Sequence, residues 1–192
     1  MKKQKAPKQR SLKGKTILLC VTGSIAAYRA CDLVRDLRTQ GADVVCLMTE
    51  AATHFVSALT FHSLSGNPVY SDPFSEREDW SVLHTTLADR ASLILIAPAT
   101  ADIIARLAGG FASDLVTSVV LASKAPVLIA PAMNDNMFAH PITQENIQKL
   151  EGIGYRFVEP IEGDLVCGRI GVGHIAENEV VLEQVQKTLH AG

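Results

Sequence analysis

The stretch VLIAPAMN, residues 127–134, places a short apolar run directly before a turn of proline and polar residues. A run of this length between Pro126 and Pro131 is typical of a buried strand in a parallel sheet. Open α/β sheets bind ligands beyond the carboxyl ends of their strands. The segment from Ala130 to Phe138 is therefore a candidate functional segment, and a strand followed by an ordinary proline turn is the alternative.

The same strand-turn-helix pattern recurs along the chain. Apolar runs predict buried strands at residues 17–21, 44–48, 93–97 and 155–158, with a short strand near Val69 in an irregular connection over 63–80. Helical patterns cover 25–39, 103–108, 114–123, 143–150 and a last segment from Asn178, and a further helix is expected after the polar residues 49–55. Alternating strands and helices predict an α/β fold, a single-domain doubly wound, Rossmann or flavodoxin-like parallel sheet with helices on both faces.

Composition restricts the classes of function. The chain has 192 residues, 47% of them hydrophobic and 20% charged, which suits one globular domain. A net charge of -2 does not indicate the basic surface that binds nucleic acid, and an aromatic content of 5% offers few side chains for stacking on bases. We therefore expect small-molecule chemistry. We find neither an apolar run of membrane-spanning length nor a signal segment, which predicts a cytoplasmic protein.

The amino terminus differs in composition from the remainder. Residues 1–15 contain seven Lys and Arg and almost no apolar side chains. We therefore expect residues 1–14 to be a flexible basic tail and residues 15–192 to form the domain.

The four cysteines lack the spacing of a metal site, so no metal is expected. Cys20, Cys31 and Cys46 lie in predicted strands or helices and are expected to be small buried hydrophobic residues. Cys167 lies in a glycine-punctuated loop over residues 163–173, where its side chain could reach a ligand.

Thr22, Gly23 and Ser24 connect the first predicted strand to its helix. Amide groups at a helix start suit a phosphate, and a glycine lets the backbone approach it closely. The turn lacks both the three-glycine dinucleotide fingerprint and the lysine of a nucleoside-triphosphate loop, so a mononucleotide phosphate fits better. A plain helix cap is the alternative at this position.

Five segments in this order resemble the flavin-containing cysteine decarboxylases, in particular those of coenzyme A synthesis. They are residues 23–28, His84 within 83–87, residues 98–102, the Pro-Ala-Met-Asn stretch 131–134 with Met137, and Cys167-Gly168. The resemblance extends from about Lys15 to Glu177, and the Pro-Ala-Met-Asn and cysteine segments are its specific parts.

The resemblance implies FMN as cofactor and 4'-phosphopantothenoylcysteine as substrate. The implied FMN contacts are Gly23, Ser24, Ile25, Thr49, Ala51, Thr100, Ala101, Asp102, Ile103 and Ala132. The implied substrate contacts are Met133, Asn134, Asp164, Leu165 and Val166. It also implies a homotrimer or a trimer-built dodecamer, with FMN and substrate at the contact between subunits.

Loss of carbon dioxide from a cysteine carboxylate requires an electron sink, which no amino-acid side chain provides and oxidised flavin can create. The resemblance implies three roles: His84 is the base during thiol oxidation, Asn134 binds the substrate carboxylate, and Cys167 donates the proton when the enethiol is reduced. Packing or surface positions are expected for His54, His62, His140 and His190. The role of His174 stays open.

Two positions depart from the family pattern, Ser92 in place of the usual Asp and Asp102 in place of a frequent Asn. The chain also ends before the synthetase domain of many relatives, so we expect that enzyme to be a separate polypeptide. Alternatives are a peptidyl-cysteine decarboxylase, which lacks the loop cysteine, a flavin prenyltransferase, and a non-catalytic FMN-binding regulator. No membrane or nucleic-acid partner is expected.

Overall fold

Parallel strands form the central sheet in a computed structural model, which describes residues 11–71, 83–164 and 170–190. In these residues the six strands are β1 (Thr16–Val21), β2 (Asp43–Met48), β3 (Val69–Tyr70), β4 (Leu93–Ala99), β5 (Val127–Pro131) and β6 (Arg156–Phe157). Their order across the sheet is β3-β2-β1-β4-β5-β6. The strand order reverses between β1 and β4, which confirms the predicted doubly wound sheet.

The helices are α1 (Arg29–Thr39), α2 (Glu50–Thr53), α3 (Ala58–Ser65), α4 (Leu83–Arg90), α5 (Ala101–Gly109), α6 (Leu115–Ala122), α7 (Asp135–Ala139), α8 (Pro141–Gly152) and α9 (Asn178–His190). A short 3-10 helix at Ile25–Tyr28 precedes α1, where the sequence predicts one continuous helix. The sequence does not predict α4 or α7. Helix α6 begins at a capping box between Asp114 and Thr117, which satisfies amide groups at its start.

Side chains of β1 alternate between the two faces of the sheet. Ile17, Leu19 and Val21 pack with α1, α3 and α9, whereas Leu18 and Cys20 pack with α4, α5, α6 and α8. All five are fully buried. Burial on both faces explains why the strand is a continuous apolar run instead of an alternating one.

An antiparallel hairpin replaces part of the predicted glycine loop. Its strands are β7 (Ile161–Asp164) and β8 (Ile170–His174). The prediction of a loop over residues 163–173 is therefore wrong at both flanks, while residues 165–169 lie outside the described chain. A β-carbon at Gly163 would lie 3.2 Å from the His174 ring, so this glycine permits close pairing of the strands.

Residues 11–14 are part of the folded domain, contrary to the predicted boundary of the flexible tail. Leu12 is fully buried in the cluster beside α1, and its amide donates to the carbonyl of Gln40 at 3.0 Å. Burial of a leucine side chain contributes about 1.5–3 kcal/mol, enough to hold this turn in place. Residues 1–10 lie outside the described part of the chain.

Three of the cysteines can be compared with their predicted positions. Cys20 and Cys46 are buried as predicted, whereas Cys31 is only half-buried, and all three are free thiols.

Within the described ranges, no helix combines the length and apolar composition that crossing a bilayer requires.

Candidate functional site

A cleft of about 740 Å³ lies where β1, β4 and β5 end. This volume is in the range of cofactor-binding pockets, and the position is the one at which doubly wound sheets bind ligands. The cleft is lined by Gly23, Ser24, Ile25, Ala26, Tyr28, Arg29, Thr100, Ala101, Ala132, Met133, Asn134, Met137, Gly173, His174 and Ile175. The structure thus brings together three groups of implied FMN contacts, residues 23–25, residues 100–101 and Ala132 of the Pro-Ala-Met-Asn stretch.

The first wall of the cleft follows β1. The Ser24 hydroxyl accepts a hydrogen bond from the amide of Ala26 at 3.3 Å and so caps the 3-10 helix. A β-carbon at Gly23 would lie 2.5 Å from the β-carbon of Ala51, which leaves no space for a side chain. Gly23 therefore lets this turn of the cleft wall pack directly against the start of α2.

Thr49 and Ala51 lie behind this wall and do not line the cleft. The Thr49 hydroxyl accepts from the amide of Ala52 at 3.3 Å, and the Thr49 amide donates to the carbonyl of Val21 at 3.0 Å. These contacts hold the start of α2 against the end of β1. Both residues thus support Gly23 in this chain.

The second wall precedes α5. Thr100 caps this helix, because its hydroxyl accepts from the amide of Ile103 at 3.3 Å. Asp102 and Ile103 are not among the cleft-lining residues. The Asp102 carboxylate is exposed and forms an ion pair with Arg106 at 3.0 Å, and Ile103 is buried in the core. The Asp102 carboxylate, which departs from the family pattern, is therefore paired with Arg106 on the surface of α5.

The third wall is the Pro-Ala-Met-Asn stretch. The amide of Ala132 donates to the carbonyl of Ala99 at 2.9 Å, which joins this turn to the end of β4. The Asn134 side-chain oxygen accepts from the amide of Asn136 at 3.0 Å and caps α7. The Nδ2 end of the same amide is the hydrogen-bond donor that a substrate carboxylate needs.

The hairpin supplies the fourth wall. The amide of Met133 donates to the carbonyl of Gly173 at 3.0 Å, and a β-carbon at Gly173 would lie 2.3 Å from the Met133 oxygen. The Nδ1 atom of His174 lies 3.0 Å from the carbonyl of Ile175. Because a carbonyl only accepts, Nδ1 carries the proton in this contact.

Arg29 is a cleft residue that the sequence does not predict. Its side chain is 16% exposed and forms an ion pair with Glu177, and its carbonyl accepts from the Asn178 side chain at 3.2 Å. Among the described lining residues, it carries the permanent positive charge. A signal for it exists in the sequence, since Arg29 follows the predicted contact Ile25 by four residues, about one helical turn.

Other predicted residues lie elsewhere. His84 is half-buried in the first turn of α4 and does not line the cleft of its own chain. Asp164 is the last residue of β7, and Leu165, Val166 and Cys167 lie outside the described residues. Ser92 accepts from the amide of Thr16 at 3.1 Å, at the edge of the sheet opposite the cleft.

The histidines with expected surface or packing positions are all exposed: His54, His62, His140 and His190. His140, for example, caps α8 by accepting from the amide of Ile142 at 3.3 Å. Helix capping therefore accounts for the presence of His140 at this position.

The cleft geometry agrees with a match of residues 5–190 to the sequence profile of the family named Flavoprotein. The chain belongs to the Flavoprotein family. This flavoprotein is 47% identical over 176 residues to the coenzyme A biosynthesis bifunctional protein CoaBC of Bacillus subtilis, a match that covers 92% of the chain. The chain spans 43% of the length of that bifunctional relative.

A full-length relative matches as well. The flavoprotein is 45% identical over 177 residues to the probable phosphopantothenoylcysteine decarboxylase of Streptococcus mutans, covering 91% of this chain and 99% of the relative. A solved PPC decarboxylase mutant complexed with pantothenoylaminoethenethiol superposes with a TM-score of 0.83 at 28% identity, covering 92% and 98% of the two chains. The FMN-dependent cysteine decarboxylase SpaF superposes with a TM-score of 0.81, also at 28% identity, covering 93% and 97%.

Proposed function

We propose that the protein is an FMN-dependent carboxy-lyase that converts 4'-phosphopantothenoylcysteine to 4'-phosphopantetheine in coenzyme A biosynthesis. The observation that carries this proposal is the cleft in which Ala132, Met133 and Asn134 lie beside residues 23–25 and 100–101. The similarity to the Streptococcus mutans relative over nearly the full length of both chains supports the same reaction.

The chemistry of the cleft walls fits FMN. Ile25, Met133 and Met137 provide apolar surface for a flavin ring, and Gly23 and Ala101 bring two turns of the backbone to the cleft, where its polar groups would contact those of the cofactor. When bound, FMN would supply the electron sink for carbon dioxide loss by accepting hydride from the thiol-bearing carbon and returning it afterwards.

The chain's own residues bind the substrate and move protons. Asn134 would hold the substrate carboxylate in its charged form, which is the form that loses carbon dioxide. His84 would remove the proton of the substrate thiol. Cys167 would donate a proton when the enethiol is reduced, which distinguishes this reaction from that of a peptidyl-cysteine decarboxylase.

Arg29 supports the assignment of a phosphorylated ligand. A guanidinium on the cleft wall favours phosphate through charge-assisted hydrogen bonds. Its ion pair with Glu177 holds the side chain at this wall.

The position of His84 supports an oligomeric enzyme. We propose that His84 of one copy reaches the cleft of a neighbouring copy in a homotrimer or a dodecamer built from trimers. Ile25, Tyr28 and Met137 at the cleft have exposed fractions of 54%, 60% and 48%. Large apolar side chains at one place on a surface are typical of a subunit contact. The free thiols of the described chain fit the reducing cytoplasm.

The test is an absorbance spectrum of the purified protein, followed by anaerobic incubation with 4'-phosphopantothenoylcysteine and mass analysis of the product. Bound FMN and a fully reduced product lighter by carbon dioxide are expected. A product that has lost two further hydrogens would show that the reaction stops at the enethiol. Bound flavin without turnover would indicate a regulatory protein, and a protein that cannot be loaded with FMN would refute the proposal.

A further inference from the structure

A continuous series of hydrogen bonds crosses the carboxyl edge of the sheet beneath the cleft. The amide of Thr49 donates to Val21, the amide of Ala132 donates to Ala99, and the amide of Met133 donates to Gly173, over distances of 2.9–3.0 Å. These links join β2 to β1, β5 to β4, and the hairpin to the Pro-Ala-Met-Asn stretch. All three are backbone to backbone, so side-chain substitutions do not remove them directly.

The link between β1 and β4 is different, because it passes through a side chain. The regular pairing of these strands ends at Cys20 and Ile96. Beyond that point, the Thr22 hydroxyl donates to the carbonyl of Pro98 at 2.7 Å and accepts from the amide of Thr100 at 3.1 Å. Thr22 is 1% exposed and does not line the cleft.

The residues that flank this link do line the cleft. Gly23 and Ser24 directly follow Thr22 on one wall, while Thr100 and Ala101 form the facing wall. The amide of Ser24 also donates to the carbonyl of Thr22 at 2.8 Å, so the first wall is connected to the same residue. The hydroxyl therefore connects the two walls that would hold FMN.

We propose that Thr22 is a positioning residue for the cofactor: its buried hydroxyl joins the end of β1 to the end of β4 and keeps the two FMN-binding walls at their working separation. This inference rests on the proposed FMN site. Loss of the hydroxyl would leave the buried carbonyl of Pro98 and the half-buried amide of Thr100 without this partner. The walls would then shift to recover hydrogen bonds, and a bound flavin would lose contacts on both sides.

The experiment compares three variants with the wild type. Thr22→Val removes the hydroxyl at nearly constant volume, and Thr22→Ser retains it. Thr117→Val makes the same chemical change at another fully buried threonine, whose hydroxyl bonds Asp114 at the start of α6. Each protein is stripped of flavin and titrated with FMN, with the dissociation constant, the absorption spectrum of the bound flavin and the Tm of the flavin-free protein as readouts.

We expect Thr22→Val to weaken FMN binding about tenfold or more and to change the spectrum of the bound flavin. Thr22→Ser should bind FMN within about twofold of the wild type, and Thr117→Val should lower the Tm without changing FMN affinity. If Thr22→Val does not yield folded protein, Thr22→Ala is measured in its place.

Unchanged FMN affinity on loss of the Thr22 hydroxyl would overturn the inference, whatever the Tm. An equal loss in Thr22→Ser would also overturn it, because the methyl group and not the hydroxyl would then matter. Failure of the wild type itself to bind FMN would instead refute the proposed function.

Discussion

Gly23 and Ala51 are in such close contact that a β-carbon at position 23 would lie only 2.5 Å from the β-carbon of Ala51. Gly23→Ala must therefore move either the turn on the cleft wall or the start of α2. Overpacking of this kind costs about 1–3 kcal/mol, so we expect FMN binding to weaken about fivefold or more. The measurement is a titration of flavin-free protein with FMN.

Gly152→Ala is the matched control for this substitution. Gly152 is the last residue of α8, and a β-carbon there meets nothing within 4 Å. FMN affinity should be unchanged in this variant. If Gly23→Ala binds FMN as tightly as Gly152→Ala, the turn at Gly23 does not hold the cofactor.

The contact between Gly173 and Met133 predicts a second glycine effect. A β-carbon at Gly173 would lie 2.3 Å from the backbone oxygen of Met133, and a backbone atom cannot move aside cheaply. Gly173→Ala should displace the hairpin from the Pro-Ala-Met-Asn stretch and lower kcat/KM by about tenfold or more, because Asn134 then loses its alignment. Steady-state kinetics with FMN-saturated enzyme test this, and an unchanged kcat/KM would show that the hairpin contact is dispensable.

Arg29 and Arg35 lie on the same helix and allow a comparison of charge at the cleft with charge on the surface. The Arg29 side chain is 16% exposed at the cleft, whereas that of Arg35 is 69% exposed and pairs with Asp32 at 3.7 Å. Hydrogen bonds to charged groups contribute about 1.5–3 kcal/mol, so Arg29→Gln should raise KM for 4'-phosphopantothenoylcysteine about tenfold or more. Arg35→Gln should leave it unchanged.

A substrate analogue shows which group Arg29 contacts. With pantothenoylcysteine, which lacks the phosphate, the KM values of Arg29→Gln and the wild type should be similar. An equal rise in KM for both compounds would indicate that Arg29 contacts another part of the substrate. Weaker FMN binding alone would assign Arg29 to the cofactor phosphate.

The buried thiols predict loss of stability at alkaline pH. Burial raises the pKa of the Cys46 thiol to about 12 and raises the pKa of Cys20 well above its ordinary value. The folded state therefore keeps both protons at a pH where the unfolded chain releases them, above about 8.5. The free energy of unfolding should be independent of these thiols below that pH and should fall above it by about 1.4 kcal/mol per pH unit for each thiol.

Urea unfolding at a series of pH values from neutral to alkaline measures this slope. Cys46→Ala removes one of the two thiols. The fall in the free energy of unfolding should therefore become less steep by about 1.4 kcal/mol per pH unit. An identical slope in the variant would mean that other groups cause the alkaline destabilisation.

The sequence predicts the sheet well because its strands are buried on both faces. The apolar runs of β1 and β5 have no exposed positions, so their composition alone identifies them. The hairpin is different. Glycines at 163, 171 and 173 are typical of a loop, but here a β-carbon would meet the side chains of His174 and Asp135 and the backbone oxygen of Met133, respectively. These contacts are tertiary, so the sequence pattern does not reveal them.

The sequence predicts the part of the candidate site that directly follows the ends of strands. Residues 23–25, 100–101 and 132–134 line the cleft because each follows a strand that ends at the same edge of the sheet. Arg29 does not follow a strand end, and its signal in the sequence is its spacing of four residues from Ile25. Thr22 could not be distinguished from its neighbours, since its role depends on the backbone of Pro98, 76 residues away in the chain.

The absence of His84 from the cleft lining of its own chain leads to a test by mixing inactive subunits. His84→Asn and Asn134→Asp should each abolish turnover, because one removes the base and the other places a carboxylate where the substrate carboxylate binds. If His84 acts in a neighbouring copy, oligomers that contain both chains form some clefts with an intact Asn134 and an intact His84. Random assembly of equal amounts predicts about one quarter of the wild-type activity for the whole mixture and about one active cleft in three for isolated mixed trimers. Co-expression with two affinity tags isolates the mixed oligomers, and each variant expressed alone is the control. Mixed oligomers that stay inactive would show that His84 and Asn134 must lie in one chain.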